Sequence, residues 1–283
     1  MTTEVRDTTA AEALLSASGI GMSFGEGEAR RAILSNVDIE VREREFVSIV
    51  GPSGTGKTTL LRCLGGLQRP TEGGVYVGGQ RTQGPPPGVS IVFQDYSRSL
   101  FPWLKVVDNV ALPLRVTGES RRERRERALH SLDEVGLAHA VDLYPWQLSG
   151  GMQQRVAIAR AIVSRPRLLL MDEPFASVDA QTRFELEDLA RRIQRTDDVS
   201  VLLITHDIDE SVYVSDRVFI LSGSPASISR TISVDLGDDR DQLKTRADPL
   251  FAQLRSQVFE EVRAAALLTA TGTHRVIDAP ETK

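Results

Sequence analysis

A chain of 283 residues, 41% hydrophobic and 26% charged, has an ordinary globular composition and enough length for one large or two small domains around a sizeable core. Its formal net charge of −5 argues against a dedicated nucleic-acid binder, which usually carries a basic excess. A single cysteine, Cys63, excludes an internal disulfide and a cysteine-cluster zinc site.

Residues 1–16 are polar and read as a disordered tail, without the basic-flanked apolar core of a signal peptide. No apolar run approaches the roughly 20 residues needed to span a bilayer, so the chain is expected to be intracellular and soluble by itself. Gly19 to Gly25 then leads into a polar turn over residues 26–31. Leu34 to Val41 alternates apolar and polar residues, the mark of a half-exposed strand. Phe24, ahead of that turn, suits either stacking on a nucleobase or filling a strand end.

Phe46-Val47-Ser48-Ile49-Val50 is a short, β-branched apolar run that reads as a buried strand. It opens directly onto Gly51-Pro52-Ser53-Gly54-Thr55-Gly56-Lys57-Thr58, which fits G-x-x-x-x-G-K-[ST], the phosphate-cradling P-loop. Thr59, Leu60, Leu64 and Leu67 follow, the leucines at helical spacing. The glycines let backbone N–H groups close around an anion, and the helix points its positive end at the same place. Lys57 is placed for the β- and γ-phosphates and the Thr58 hydroxyl for magnesium. A chance glycine turn before an amphipathic helix meets neither flank requirement so fully. Cys63 falls inside this helix, where packing is its expected role.

Further on, Val75-Tyr76-Val77 and Val89 to Phe93 read as strands, the second ending at Gln94. Residues 96–103 form an aromatic loop in which Leu100, Phe101 and Trp103 are expected to be exposed. Such a loop is either a docking surface or a local mini-core. Residues 105–147 read as helical. The run of arginines and glutamates over 121–127 suits i,i+4 pairing on a solvated face better than a nucleic-acid footprint. Leu148-Ser149-Gly150-Gly151 opens another helix, with Ser149 as its cap; this is either a plain capped helix or a second anion-binding helix start. Arg165-Pro166 stops it.

Leu168 to Met171 is a buried strand delivering Asp172 and Glu173 at its carboxyl end, where open parallel sheets place their sites. An aspartate there suits magnesium coordination, and a glutamate beside it suits orienting or deprotonating water. Asp179 starts a helix through Arg195. Val201 to Thr205 is another buried strand ending at His206, a residue type that is usually structural when alone but here shares an edge with Lys57 and Asp172. Val212 and Val214 flank a short helix, Arg217 to Leu221 is read as the last strand, and a polar linker from about 233 precedes an amphipathic helix over about 249–268.

Taken in order, the P-loop, Gln94, Leu-Ser-Gly-Gly, Leu-Leu-Leu-Met-Asp-Glu-Pro, Ser-Val-Asp and Ile-Thr-His-Asp resemble the nucleotide-binding subunit of ATP-binding-cassette (ABC) transporters over about residues 17–232. The resemblance implies an α/β fold. Its parts are a P-loop ATPase core on a mixed β-sheet, an N-terminal antiparallel β-subdomain and an inserted α-helical signature subdomain at about 96–165. Residues 233–283 are left as a C-terminal extension. It implies a head-to-tail dimer, with itself or a paralogous subunit, and two ATP molecules sandwiched between the cassettes. One subunit supplies the cradle, Gly51, Ser53, Gly54, Thr55, Gly56, Lys57, Thr58 and Thr59. The resemblance gives Thr58, Gln94 and Asp172 to Mg2+, makes Glu173 the general base, and sets Gln94 and His206 around the attacking water. Ser149, Gly150 and Gly151 come from the other subunit, Asp179 bridges the two sites, and Phe24 matches the adenine-stacking aromatic. The permease is expected to dock at residues 96–103 on the cytoplasmic face of the membrane, with a solute-binding protein in the same system and no nucleic acid.

Finer features resemble importers of nitrate, sulfonates and taurine. They are Leu100-Phe101-Pro102-Trp103, Asp108-Asn109-Val110, Tyr144-Pro145-Trp146-Gln147 and Asp248-Pro249-Leu250-Phe251. Pyrimidine-precursor importers share much of this pattern. A soluble ABC ATPase acting on DNA or ribosomes fits worse. There is one P-loop, and the interval between Lys57 and Ser149 holds no sustained heptads. Met152 after the signature glycines and Ser177-Val178-Asp179 depart mildly from the family pattern, without removing a catalytic group.

Overall fold

The computed structural model describes residues 13–95 and 99–271. Ten strands form one sheet in the order β5-β4-β1-β2-β10-β9-β3-β8-β7-β6. The strands are β1 (Ala13–Phe24), β2 (Arg31–Arg42), β3 (Phe46–Val50), β4 (Glu72–Val77), β5 (Gln80–Arg81), β6 (Val89–Val92), β7 (Leu168–Asp172), β8 (Ser200–Ile204), β9 (Arg217–Gly223) and β10 (Ala226–Ser233). Strands β9, β3, β8, β7 and β6 run parallel, and β5, β4, β1 and β2 form an antiparallel wing. Strand β10 joins the halves. It is antiparallel to β9 and meets β2 in parallel at the single pair Ala226–Leu34.

The central parallel strands β3, β7 and β8 are mainly apolar and fully buried because both faces are covered. Leu168, Leu170, Leu202 and Ile204 pack with Leu60, Leu61, Cys63 and Leu64 of α1 (Lys57–Leu64). Their neighbours Leu169, Met171, Val201 and Leu203 turn to the opposite face. There they meet α4 (Gly150–Ile162), α5 (Ala180–Thr196), α6 (Ile208–Val214) and α7 (Pro249–Thr271). Each such leucine contributes about 1.5–3 kcal/mol relative to leaving it in water. Cys63 is 1% exposed and burial pushes its thiol up to about 11, so it packs as expected and stays protonated.

Several expectations need correction. The expected tail ends too late: residues 1–12 lie outside the described residues, but Ala13 already begins β1. Strand β1 was hidden because its register shifts at four places against β2, which destroys simple alternation. The helix after the P-loop stops at Leu64, and Leu67 is 47% exposed instead of continuing its stripe. Residues 105–147 are not one helical stretch. They divide into α2 (Val106–Val110), a 3-10 turn at Leu112–Val116 containing Pro113, α3 (Arg121–Glu134), and 3-10 turns at Ala138–Ala140 and Pro145–Gln147. Pro113 lacks an amide donor, and Gly118 and Gly136 take positive φ, so a continuous helix is interrupted at each. Val212 and Val214 lie inside α6 rather than beside it. Arg217 to Leu221 is not the last strand, since β10 follows.

The charged run falls on α3. Ser120 and Glu123 close a capping box at its start, and exposed Arg122 pairs with Glu126 at 2.8 Å. Arg127 departs from the solvated reading by turning inward to the Val163 carbonyl and Glu119.

Candidate active site

The carboxyl ends of β3, β6, β7 and β8 lie along one edge of the sheet. They deliver Gly51, Gln94, Asp172 and His206 to that edge. Gly51 leaves β3 with almost no room above it: a Cβ there would stand 2.4 Å from the Leu221 carbonyl oxygen of β9. Gly54 and Gly56 hold φ of 80° and 90°, the left-handed region that lets successive N–H groups turn inward. Gly56 also lies under β2, because a Cβ would meet Ile33 Cγ2 at 2.7 Å. Ser53 is exposed at the tip, and the Thr55 hydroxyl donates to the Pro52 carbonyl at 2.8 Å, bracing the loop.

Lys57 and Thr58 open α1, with Thr59 next in its first turn. The Lys57 ammonium is 7% exposed and donates to the Gly51 and Pro52 carbonyls at 2.9 and 3.0 Å. Burial lowers its pKa, and the charges of Glu173 and Asp172 work against that shift. Thr58 donates to Asp172 Oδ1 at 3.3 Å. Burial raises the Asp172 carboxyl, opposed by the Thr58 hydrogen bond and the cations Arg62 and Lys57. A hydroxyl and one carboxylate beside an anion cradle are hard oxygen donors of the kind magnesium takes, with phosphate and water completing the shell.

Glu173 is the meeting point of the second group. Its Oε2 accepts from Gln94 Nε2 at 3.2 Å and lies 3.1 Å from His206 Nδ1. Its backbone is left-handed, with φ 44°, and its N–H donates to the Ile204 carbonyl at 2.8 Å. That conformation costs on the order of 1–3 kcal/mol for a residue with a Cβ and aims the carboxylate away from the strand line. His206 is well exposed and its ring faces the same opening.

The signature residues behave differently. Ser149 caps α4 by accepting from the Met152 N–H at 3.3 Å, as the sequence predicts. Gln153 donates to the Pro145 and Leu148 carbonyls and fixes the approach to the helix. Ser149 and Gly150 are exposed. Gly151 abuts α5, since a Cβ would fall 2.4 Å from Thr182 Cγ2. Asp179 caps α5, its carboxylate accepting from the Thr182 N–H and hydroxyl. Among the described residues no hydrogen bond joins Ser149, Gly150 or Gly151 to the cradle. The chain therefore assembles the phosphate cradle and the Gln94–Glu173–His206 group together, and places the signature beside Asp179 instead. Phe24 stands 45% exposed at the end of β1.

Comparison with known proteins decides the family. The ABC transporter family matches residues 34–176, half of the chain. The chain belongs to the ABC transporter family. An uncharacterised ABC transporter ATP-binding protein of Methanocaldococcus jannaschii is 46% identical over 209 residues, 74% of this chain and 78% of that protein. The nitrate import ATP-binding protein NrtD of Synechocystis is 41% identical over 246 residues, 82% of this chain and 92% of its own. A dimeric ATP-binding cassette solved in a post-hydrolysis state with ADP and Pi superposes with a TM-score of 0.69 at 34% identity. That alignment covers 78% of this chain and 99% of the other. This ABC protein thus binds ATP and is an ATPase on the mixed-sheet P-loop fold. No helix among its described residues is long and apolar enough to cross a membrane.

Sequence reasoning missed some supporting residues. Arg183 of α5 reaches Asp207, next to His206, at 3.3 Å, and Thr205 Oγ1 accepts the Asp207 N–H at 2.9 Å. The Asp207 cap of α6 was readable in principle from an aspartate ahead of a short amphipathic run. Its partner on another helix was not.

Proposed function

We propose that this chain is the ATP-hydrolysing motor of a membrane importer for a small inorganic anion, nitrate first. The observation that carries the anion is the 41% identity to the nitrate import protein NrtD across nearly its full length. A nitrate transport protein of Klebsiella oxytoca at 38% identity supports the same class.

In this reading Gly51, Ser53, Gly54, Thr55 and Gly56 cradle the ATP phosphates with their N–H groups. Lys57 holds the β- and γ-phosphates, and Phe24 stacks on the adenine. Thr58, Gln94 and Asp172 hold Mg2+, which supplies charge neutralisation to the phosphates. The Glu173 carboxylate accepts a proton from water as the water oxygen attacks the γ-phosphorus. The bond from that phosphorus to the bridging oxygen breaks, leaving ADP and inorganic phosphate. Gln94 and His206 orient the water and the γ-phosphate. Among the described residues, the exposed start of α4 has no partner for its N–H groups except Ser149. A second cassette therefore brings Ser149, Gly150 and Gly151 to the open side of the γ-phosphate. Asp179 lies beside that helix start and bridges the two sites. The solved dimer at 34% identity supports this arrangement.

The segment between β6 and β7 is the helical subdomain, at about 96–165, and residues 233–283 are an extension. The permease docks on this subdomain from the cytoplasmic face of the membrane, and a solute-binding protein delivers the anion. The docking loop differs from expectation in one respect. Leu100 is 2% exposed, so it anchors the loop, and Phe101 and Trp103 are 36% and 69% exposed. Buried Asn109 donates to the Phe101 and Leu104 carbonyls, and Arg160 donates to the Ser99 carbonyl. Two aromatic rings 5.3 Å apart are thus presented on a braced loop. The Tyr96 part of the expected surface lies outside the described residues. Replacing Phe101 and Trp103 together by alanine is expected to leave the melting temperature within a few degrees and to abolish co-purification with the permease. Undiminished co-purification would remove the loop from that role.

The anion itself is tested with the reconstituted transporter and its binding protein. Nitrate is expected to stimulate ATP turnover and to be taken up. Stimulation by bicarbonate, taurine or a pyrimidine precursor, with none by nitrate, would overturn the nitrate assignment.

A further inference from the structure

His206 is flanked by two residues that are both tied to a buried carboxylate cluster. Thr205 is 1% exposed, and its hydroxyl accepts the Asp207 N–H at 2.9 Å. Asp207 Oδ1 accepts the Glu210 N–H at 3.1 Å, and Asp207 Oδ2 pairs with Arg183 at 3.3 Å. Behind Glu210, which is 4% exposed, stands Glu187 of α5 at 1%. Asp207, Glu210 and Glu187 repel one another, and burial pushes the Glu210 carboxyl well up, with Glu187 and Asp207 adding to it. Among the described residues, two guanidiniums pair with this cluster. Arg183 belongs to α5. The other, Arg246, arrives from beyond β10, in the segment that reads from sequence as a polar linker.

Arg246 is held on every side. It donates to Glu187 Oε2 at 2.7 Å and to Gln242 Oε1 at 2.9 Å. Gln242 in turn donates to Glu187 and Asp188. The guanidinium lies over Phe184, Tyr213 and Phe251 at 4.8, 4.9 and 5.7 Å from their ring centres. A planar cation locked between three rings and one buried carboxylate is an anchor whose geometry neighbouring side chains fix. Burial raises the Glu187 carboxyl and Arg246 is the largest influence opposing this. Without Arg246 a carboxylate at 1% exposure, one helical turn from Arg183, loses its counter-ion.

We infer that Arg246 of the C-terminal extension is a positioning residue for ATP hydrolysis. By neutralising Glu187 and packing on Phe184 it holds the α5 turn that carries Arg183, keeps Arg183 paired with Asp207, and so fixes the direction of His206. The extension is then an integral part of the catalytic support and not an appended module. This rests on the proposed role of His206 at the γ-phosphate and attacking water. Because His206 is engaged in turnover and the cradle carries nucleotide affinity, the effect falls on kcat and spares ATP binding.

The full-length chain is assayed for ATPase activity, with ATP affinity measured separately by titration and folding by circular dichroism. Arg246→Met keeps the bulk of the stem and removes the charge. It is expected to lower kcat about tenfold with ATP affinity within about twofold of the parent. Arg246→Lys restores a cation beside Glu187 and is expected to recover most of the loss. Adding Glu187→Gln to Arg246→Met leaves no unpaired buried charge and is expected to do the same. Wild-type kcat in folded Arg246→Met, or kcat and affinity falling in step, overturns the inference. If Arg246→Met does not fold, Arg246→Gln decides: a several-fold loss of kcat at unchanged affinity supports the positioning role, and wild-type kcat overturns it. His206→Ala is run in parallel. Normal turnover there would sink the proposed role of His206 and the inference with it. A low value in His206→Ala beside normal turnover in Arg246→Met sinks only the inference.

Discussion

Replacing Glu173 by glutamine is expected to lower ATP turnover by about 10²–10⁴-fold, the range typical of a lost general base, while ATP binding stays intact. The substitution is isosteric. A glutamine side-chain oxygen can still accept from Gln94 Nε2, as Glu173 Oε2 does at 3.2 Å, so the group keeps its shape. What is lost is the ability to take a proton. The left-handed backbone at residue 173 is held by the bond to the Ile204 carbonyl, which the side chain does not share. Single-turnover hydrolysis and equilibrium ATP binding, measured on the same preparation, check both halves. Near-normal turnover would remove Glu173 from the role of base.

Lys57→Ala acts on the other half of the site. A hydrogen bond to a charged partner contributes about 1.5–3 kcal/mol, so ATP affinity is expected to fall roughly 10–100-fold. The ligand-free fold should lose little. Burial already disfavours the Lys57 ammonium, and its bonds to the Gly51 and Pro52 carbonyls only partly offset that cost. Phosphate supplies the missing negative charge, so binding gains what the free protein carries as strain. Thermal melting with and without ATP tests this directly. The parent should gain stability with nucleotide and the variant should gain much less. Unchanged affinity would count against the P-loop assignment.

The cradle was legible because each requirement is local. A strand, a spaced set of glycines, a lysine and a helix follow one another without a gap from Phe46 to Leu64. Asp172 and Glu173 were legible because an apolar strand ends in charge. What was not legible depends on contacts far apart in sequence. Strand β1 carries bulges that scramble its alternation, and β10, which alternates isoleucine with serine and threonine, was passed over when Arg217 to Leu221 was read as the last strand. Leu100 was read as exposed with its aromatic neighbours. Asn109, eight residues later, accepts the Phe101 N–H and donates to the Phe101 carbonyl, which turns the loop so that Leu100 points inward. The separation of the signature from the cradle was likewise invisible locally, since Ser149 caps a helix equally well wherever that helix sits.

The order of the sheet has a further consequence for solution behaviour. Because β10 lies between the antiparallel wing and the parallel strands, the end strands of the sheet among the described residues are β5 and β6. Strand β5 is two residues, Gln80 and Arg81, both exposed and one cationic. Strand β6 is four residues long. Margins this short, one of them charged, make poor templates for adding another chain by backbone pairing. The sheet thus keeps its ends closed to indiscriminate self-association.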